Sequence, residues 1–246
     1  MSIHCYKLTI EYDGTKYHGW QKQPHHPTIA SCIEVALSSL TQETVKITGA
    51  GRTDAGVHAL GQVAHFQLNR FFPPSQLLRG VNALLPCDIA VKKVAAAADT
   101  FHARHGARRK TYRYFIFNAQ TRSPWKQKTA WQLGFPLDIP KMRQAAKSLA
   151  GRHDFSSLCA KDNDAKNHIV DLFKIAIYKK DNQIQMTLTA NRFLRYMVRN
   201  IVGLLVEIGR GKRSVNTIGA ILDGKDRRLA GPTAPPHGLF LIEVKY

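Results

Sequence analysis

At 246 residues, 44% of them hydrophobic, the chain is long enough to bury one large core or two smaller ones. It holds no run of about 18 apolar residues, which argues against a membrane-spanning helix. A formal net charge of +19 and a pI near 10 favour a polyanionic partner, with an incidentally basic protein as the plain alternative. The charge is uneven. Residues 1–105 carry 10 basic and 7 acidic groups, whereas residues 106–246 carry 26 and 10, so a phosphate-facing surface is expected mainly in the second half. The opening MSIHCYKLTIEYDG lacks the charged-then-apolar layout of a signal peptide. Cys5, Cys32, Cys87 and Cys159 form no CxxC pair and read as reduced, buried thiols of a cytoplasmic protein.

Alternation over 3–11 (IHCYKLTIE) predicts a strand. Residues 29–40 predict an amphipathic helix capped by Thr28. Strands near 45–49 and 61–68, a helix over 74–84 after Pro73–Pro74, and a strand near 89–95 complete a β-α-β-β-α-β order. The second half repeats that order without sequence self-similarity. A strand near 108–118 leads past Pro124 to a helix near 138–149. Strands near 168–179 and 183–190 are joined by Lys180–Asp181–Asn182, which has turn composition. Helices over 193–209 and 214–223 precede a last strand over 239–245. The expected fold class is α+β, with two ferredoxin-like β-α-β-β-α-β halves, 1–105 and 106–246, whose mixed or antiparallel sheets flank a cleft.

The densest motif is Gly49-Ala-Gly-Arg52-Thr53-Asp54-Ala55-Gly56-Val57-His58. A dinucleotide fingerprint would need Gly where Asp54 stands, and a P-loop needs Gly-Lys-Ser/Thr; neither is present. What remains is a tight loop with an arginine and a carboxylate two residues apart. Such a carboxylate can act as nucleophile or base, since a nearby guanidinium favours its ionised form. The competing reading is a surface turn whose Asp accepts backbone hydrogen bonds.

The stretch GAGRTDAGVHALGQVAHF resembles the catalytic motif of the tRNA pseudouridine synthase A family, and further matches run in order along the chain. Tyr12-Asp-Gly-Thr-Lys-Tyr17-His-Gly19-Trp20-Gln21 is similar to the family's N-terminal signature. Asp99-Thr-Phe101-His102-Ala103-Arg104 is similar to its DxFHAR segment. Phe193 to Gly203 resembles its FxxxMVRNIVG helix, and Gly238-Leu239-Phe240-Leu241 its closing strand. The resemblance implies a pseudouridine-synthase fold that isomerises uridine at positions 38, 39 and 40 of the tRNA anticodon arm. It implies a homodimer, no cofactor and no metal.

By resemblance Asp54 is the essential carboxylate, Arg52 helps to expel the flipped base, and Arg199 pairs with Asp54. Tyr112 contacts the target base, with Tyr114 as the match in a shifted register, and Leu241 packs against the uracil. Each has a plainer alternative: a salt bridge for Arg52, phosphate contact for Arg199, an ordinary strand aromatic for Tyr112, a core residue for Leu241. Arg192, Arg195 and Arg199 share one face if the helix runs through 193–209. His58 reads as a hydrogen-bonded turn residue before a proton carrier. His102 and Arg104 read as bracing the loop or touching RNA, and Trp20 as core before a stacking platform. The function classes left in competition are a non-catalytic basic RNA-binding protein, which leaves the Arg–Asp loop unexplained, and a nucleobase deaminase, whose H-x-E and P-C-x-x-C zinc signature is missing.

Overall fold

The computed structural model describes residues 3–160 and 167–246. They form two compact units, one containing the residues up to Arg108 together with Phe240–Tyr246, the other Arg109–Leu239. The protein is of the α+β class.

In the first unit the strand β1 (His4–Tyr12) alternates as its sequence requires, with Leu8, Ile10 and Tyr12 buried. The helix α1 (Ile29–Thr41) starts at a capping box. The Thr28 hydroxyl accepts from Ser31 N at 3.3 Å, and the Ser31 hydroxyl accepts from Thr28 N at 3.2 Å. Ile29, Ile33, Ala36 and Leu37 make its buried stripe. The two-residue β2 (Thr48–Gly49) pairs with β3 (His58–Leu68); α2 (Pro74–Leu84) and β4 (Ile89–Ala97) follow. β1 lies between β3 and β4, antiparallel to both.

The second unit is a sheet in the order β5 (Arg109–Asn118), β9 (Gln183–Ala190), β8 (Ile169–Lys180), β7 (Gly151–Asp154), antiparallel throughout. A short β6 (Trp131–Leu133) pairs with β5 in parallel. Asp181 takes φ 51° in the β8–β9 hairpin, a left-handed turn conformation that Asp tolerates. Tyr114, Ile116, Met186 and Leu188 line the buried face. Helix α3 (Ile139–Leu149) packs against β8 and against α4 (Met197–Gly209). α4 is apolar nearly all round, as a helix enclosed by its own unit must be. The shorter α5 (Thr217–Asp223) completes the helices. No described helix is long and apolar enough to cross a membrane.

The last strand, β10 (Leu239–Lys245), runs parallel to β3, with Phe240 opposite His58 and Leu241 opposite Ala59. It therefore closes the first unit, although chain order groups it with the second half. Three details depart from the sequence reading. The long helix starts at Met197, because Tyr196 adopts φ 63° and breaks any helix upstream. The strand expected near 45–49 is reduced to two residues. Only Cys5 and Cys159 are buried among the cysteines; Cys87 is exposed.

Candidate active site

The loop between β2 and β3 holds Arg52 and Asp54, and its backbone is fastened at almost every step. Ala50 N donates to Val63 O at 2.7 Å, and the Gln62 carboxamide donates to Gly51 O at 2.9 Å. Trp20 N donates to Thr53 O at 3.1 Å, Gly56 N to Tyr17 O at 3.3 Å, and Val57 N to Asp54 O at 3.2 Å. Below the loop the Tyr12 and Thr53 hydroxyls are 2.8 Å apart and buried. The segment 12–20 is thus the brace of the Asp54 loop. Gly19 is required in it: φ is +85°, and an added Cβ would stand 2.5 Å from Thr53 O. Trp20 is buried and belongs to this brace.

Asp54 is half-buried and Arg52 exposed. Arg52 Nε donates to the Gln21 side chain at 3.2 Å, so the arginine is held over the bracing segment. His58 is 2% exposed, accepts from Gly14 N at Nδ1 (3.1 Å), and stacks on Phe240 with ring centroids 4.5 Å apart. The Asp13 carboxylate also lies 3.1 Å from that nitrogen. His58 therefore holds the loop's exit to β10. Leu241, next to Phe240, is completely enclosed, the environment of a core strand residue.

The DxFHAR segment is a second brace. His65 Nδ1 accepts from Ala103 N at 3.2 Å, and His102 Nδ1 accepts from the amides of Arg104 and His105 at 3.2 and 3.1 Å. Burial pushes both histidines below the usual imidazole range.

In the second unit Tyr112 is buried on β5, edge-on to Phe193 at 5.0 Å. Tyr114, on the same face two residues on, is fully buried and donates to Pro235 O at 2.8 Å. Arg199 stands in the first turn of α4. Its Nε donates to Ala234 O at 2.7 Å, Ala234 N donates back to Arg199 O at 3.1 Å, and the guanidinium lies 5.0 Å from the Tyr196 ring. Gly203 lets the strap 231–235 come this close: a Cβ there would sit 1.9 Å from Pro232 O. Arg192 and Arg195 precede the helix, so no arginine stripe forms. Arg192 instead donates to Ile169 O and Asn167 O.

Sequence reasoning missed the group that holds the strap. Asn200, fully buried, accepts from Thr233 Oγ1 at 2.7 Å and from Arg227 Nη2 at 3.0 Å, and its amide donates to Leu158 O. Arg227 Nη1 donates to Gly231 O at 2.8 Å. Burial lowers the Arg227 pKa. The signal available was the Gly-Pro-Thr-Ala-Pro-Pro run at 231–236, which promises a fixed, non-repetitive backbone without saying what it meets.

A family model described as tRNA pseudouridine synthase matches residues 8–105 and 145–246. The chain belongs to the tRNA pseudouridine synthase family. It is 45% identical over 241 residues to tRNA pseudouridine synthase A of Myxococcus xanthus, covering 98% of this chain and 91% of that one. It is 43% identical over 240 residues to the enzyme of the same name from Geotalea uraniireducens (strain Rf4), at 98% coverage of each. A third relative of that name, from Thermoanaerobacter sp. (strain X514), is 42% identical over 239 residues, covering 97% of this chain and 98% of its own. As a member of the family the protein is an isomerase acting on uridine in tRNA, and the pinned Arg52–Asp54 loop is the candidate seat of that chemistry.

Proposed function

We propose that the protein converts uridine to pseudouridine at positions 38, 39 and 40 of the tRNA anticodon arm, with Asp54 as the catalytic carboxylate. The observation that carries this reading is the Asp54 loop itself. A half-buried carboxylate is presented on a backbone tied to the 12–20 segment on one side and to β3 on the other. Fixed presentation of this kind lowers the entropic part of a barrier.

In this reading Arg52 takes the place of the flipped base and Tyr112 stacks on it. Arg199 pairs with Asp54, which favours its ionised form. The family resemblance also gives Leu241 an apolar contact with the uracil; enclosed as it is, that contact requires the residues covering it to move. The N1–C1′ bond breaks, the uracil turns, C5 bonds to C1′, and the C5 proton leaves while N1 regains one. Atoms and electrons balance within the nucleotide, so the reaction calls for no redox cofactor. The enzyme works in the cytoplasm as a homodimer whose subunits share each tRNA. Reach over three adjacent uridines implies recognition by shape and phosphate, consistent with the excess charge of residues 106–246.

The test is Asp54→Asn. Tritium release from tRNA carrying C5-labelled uridine should stop, with tRNA affinity within a few-fold of the parent. Surviving release would remove Asp54 from its role. A non-catalytic RNA-binding protein would release no tritium in any form.

A further inference from the structure

Trp125 is 92% exposed, the most exposed large apolar side chain among the described residues. Six residues on, Trp131 lies against Tyr114 at 6.4 Å in ordinary packing, so exposure is not the common condition of this region's tryptophans. Trp125 sits in a 3-10 turn, Pro124–Lys126, within the segment joining β5 to β6. That segment is built and held. The Gln132 carboxamide accepts from Ser123 N at 2.7 Å and donates to Ser123 O at 2.9 Å. Lys126 N donates to Ser123 O, Gln127 N to Pro124 O, and Ala130 N to Lys126 O, with Ala130 itself buried. The Asn118 carboxamide fixes the strand end by donating to Leu133 O and Phe135 O.

Charge identifies the partner. Arg122, Lys126 and Lys128 flank Trp125 in the sequence, and no Asp or Glu occurs anywhere between Asp99 and Asp138. A protein surface of ordinary composition gains little from three cations. A nucleic acid gains at both levels, because phosphates meet the cations and an unpaired base meets the ring face. β6 runs parallel to β5 with Trp131 opposite Ile116, four residues along the strand from Tyr112.

We propose that the Trp125 turn is a second RNA-docking site, where an unpaired base of the substrate tRNA other than the isomerised uridine stacks on the indole while Arg122, Lys126 and Lys128 hold its phosphates. A rigid turn suits this role, because little ordering remains to be done on binding.

The experiment measures tRNA affinity and single-turnover pseudouridine formation in the full-length protein. Trp125→Ala should raise the tRNA Kd about tenfold, the scale of one lost base stack. The rate at saturating tRNA and the melting temperature should stay at parental values, and Trp125→Phe should recover most of the affinity. Replacing Arg122, Lys126 and Lys128 together by Gln should reduce the slope of log Kd against log salt by about two to three. An unchanged Kd in Trp125→Ala overturns the proposal. So does a fall in sedimentation mass with unchanged affinity per subunit, which would make the turn a protein–protein contact. The inference needs tRNA as substrate but not Asp54 as catalyst: activity surviving in Asp54→Asn would remove the reading of the active site and leave a Trp125 binding defect standing.

Discussion

Arg199 and Ala234 hold each other twice, through Arg199 Nε to Ala234 O at 2.7 Å and Ala234 N to Arg199 O at 3.1 Å. The side chain that the proposed mechanism brings to Asp54 is therefore aimed by a carbonyl on the strap 231–235. That strap is in turn registered against α4 by Asn200, Thr233 and Arg227. Arg227 donates to the Gly231 carbonyl, the Asn200 carboxamide and the Thr233 hydroxyl.

Thr233→Val keeps the shape of the side chain and deletes the hydroxyl that links Arg227 to Asn200. Misplacement of a catalytic group by about 1 Å can cost on the order of a hundredfold. We expect kcat to fall about tenfold with tRNA Kd unchanged. In an Arg199→Lys background, which lacks the anchored Nε, the same change should cost little more. If the two losses multiply, the strap does not act through Arg199.

Gly203→Ala tests the closeness of the same strap. The new methyl would lie 1.9 Å from Pro232 O, backbone that cannot swing aside as a side chain can. Overpacking of this kind costs about 1–3 kcal/mol. Thermal unfolding should show a loss of several degrees, at about 2–4 °C per kcal/mol for a chain of this size. Activity should fall beyond the fraction unfolded. A parental melting curve would mean that the strap has room to spare.

The local features were legible in the sequence because their causes are local. The Thr28 cap, the alternation of β1 and the turn at Asp181–Asn182 follow from residues within four positions of one another. What escaped depends on distant contacts. Tyr196 takes a left-handed conformation that no propensity favours, and so the helix starts at Met197, four residues later than predicted. Gly203 stands in the motif of the long helix, but Pro232, which it admits, lies 29 positions away. Motif resemblance marked Tyr12 to Gln21 as a signature; only the structure gives it the physical work of holding Thr53 and Asp54 in place.

The His65 ring accepts from Ala103 N, and burial holds its pKa below 6.5. The unfolded chain therefore binds the proton more readily, so stability rises with pH through this group. The contribution is complete above about pH 6.5 and is lost as pH falls from there toward the lower folded value. A protonated ring cannot accept from Ala103, and the DxFHAR brace should loosen first. Melting temperatures should drop between about pH 7.5 and pH 5, and His65→Gln, which can still accept, should flatten that drop. An unchanged slope in His65→Gln would assign the pH dependence elsewhere.

Tyr12→Phe separates the brace from the carboxylate it holds. The substitution removes the hydroxyl that meets Thr53 Oγ1 at 2.8 Å and also bonds the Gln62 side chain, in a site where all three residues are buried. An unpaired buried hydroxyl costs about 1–3 kcal/mol, and Thr53 can relieve it by turning, which carries the neighbouring Asp54 with it. A modest loss of melting temperature should accompany a fall in kcat of about tenfold or more, with tRNA Kd unaltered because Tyr12 is buried. Adding Thr53→Val restores an apolar match, so stability should recover while the rate stays low. If the rate recovers together with the melting temperature, packing beneath the loop governs Asp54, and the hydroxyl pair has no separate part in aiming it.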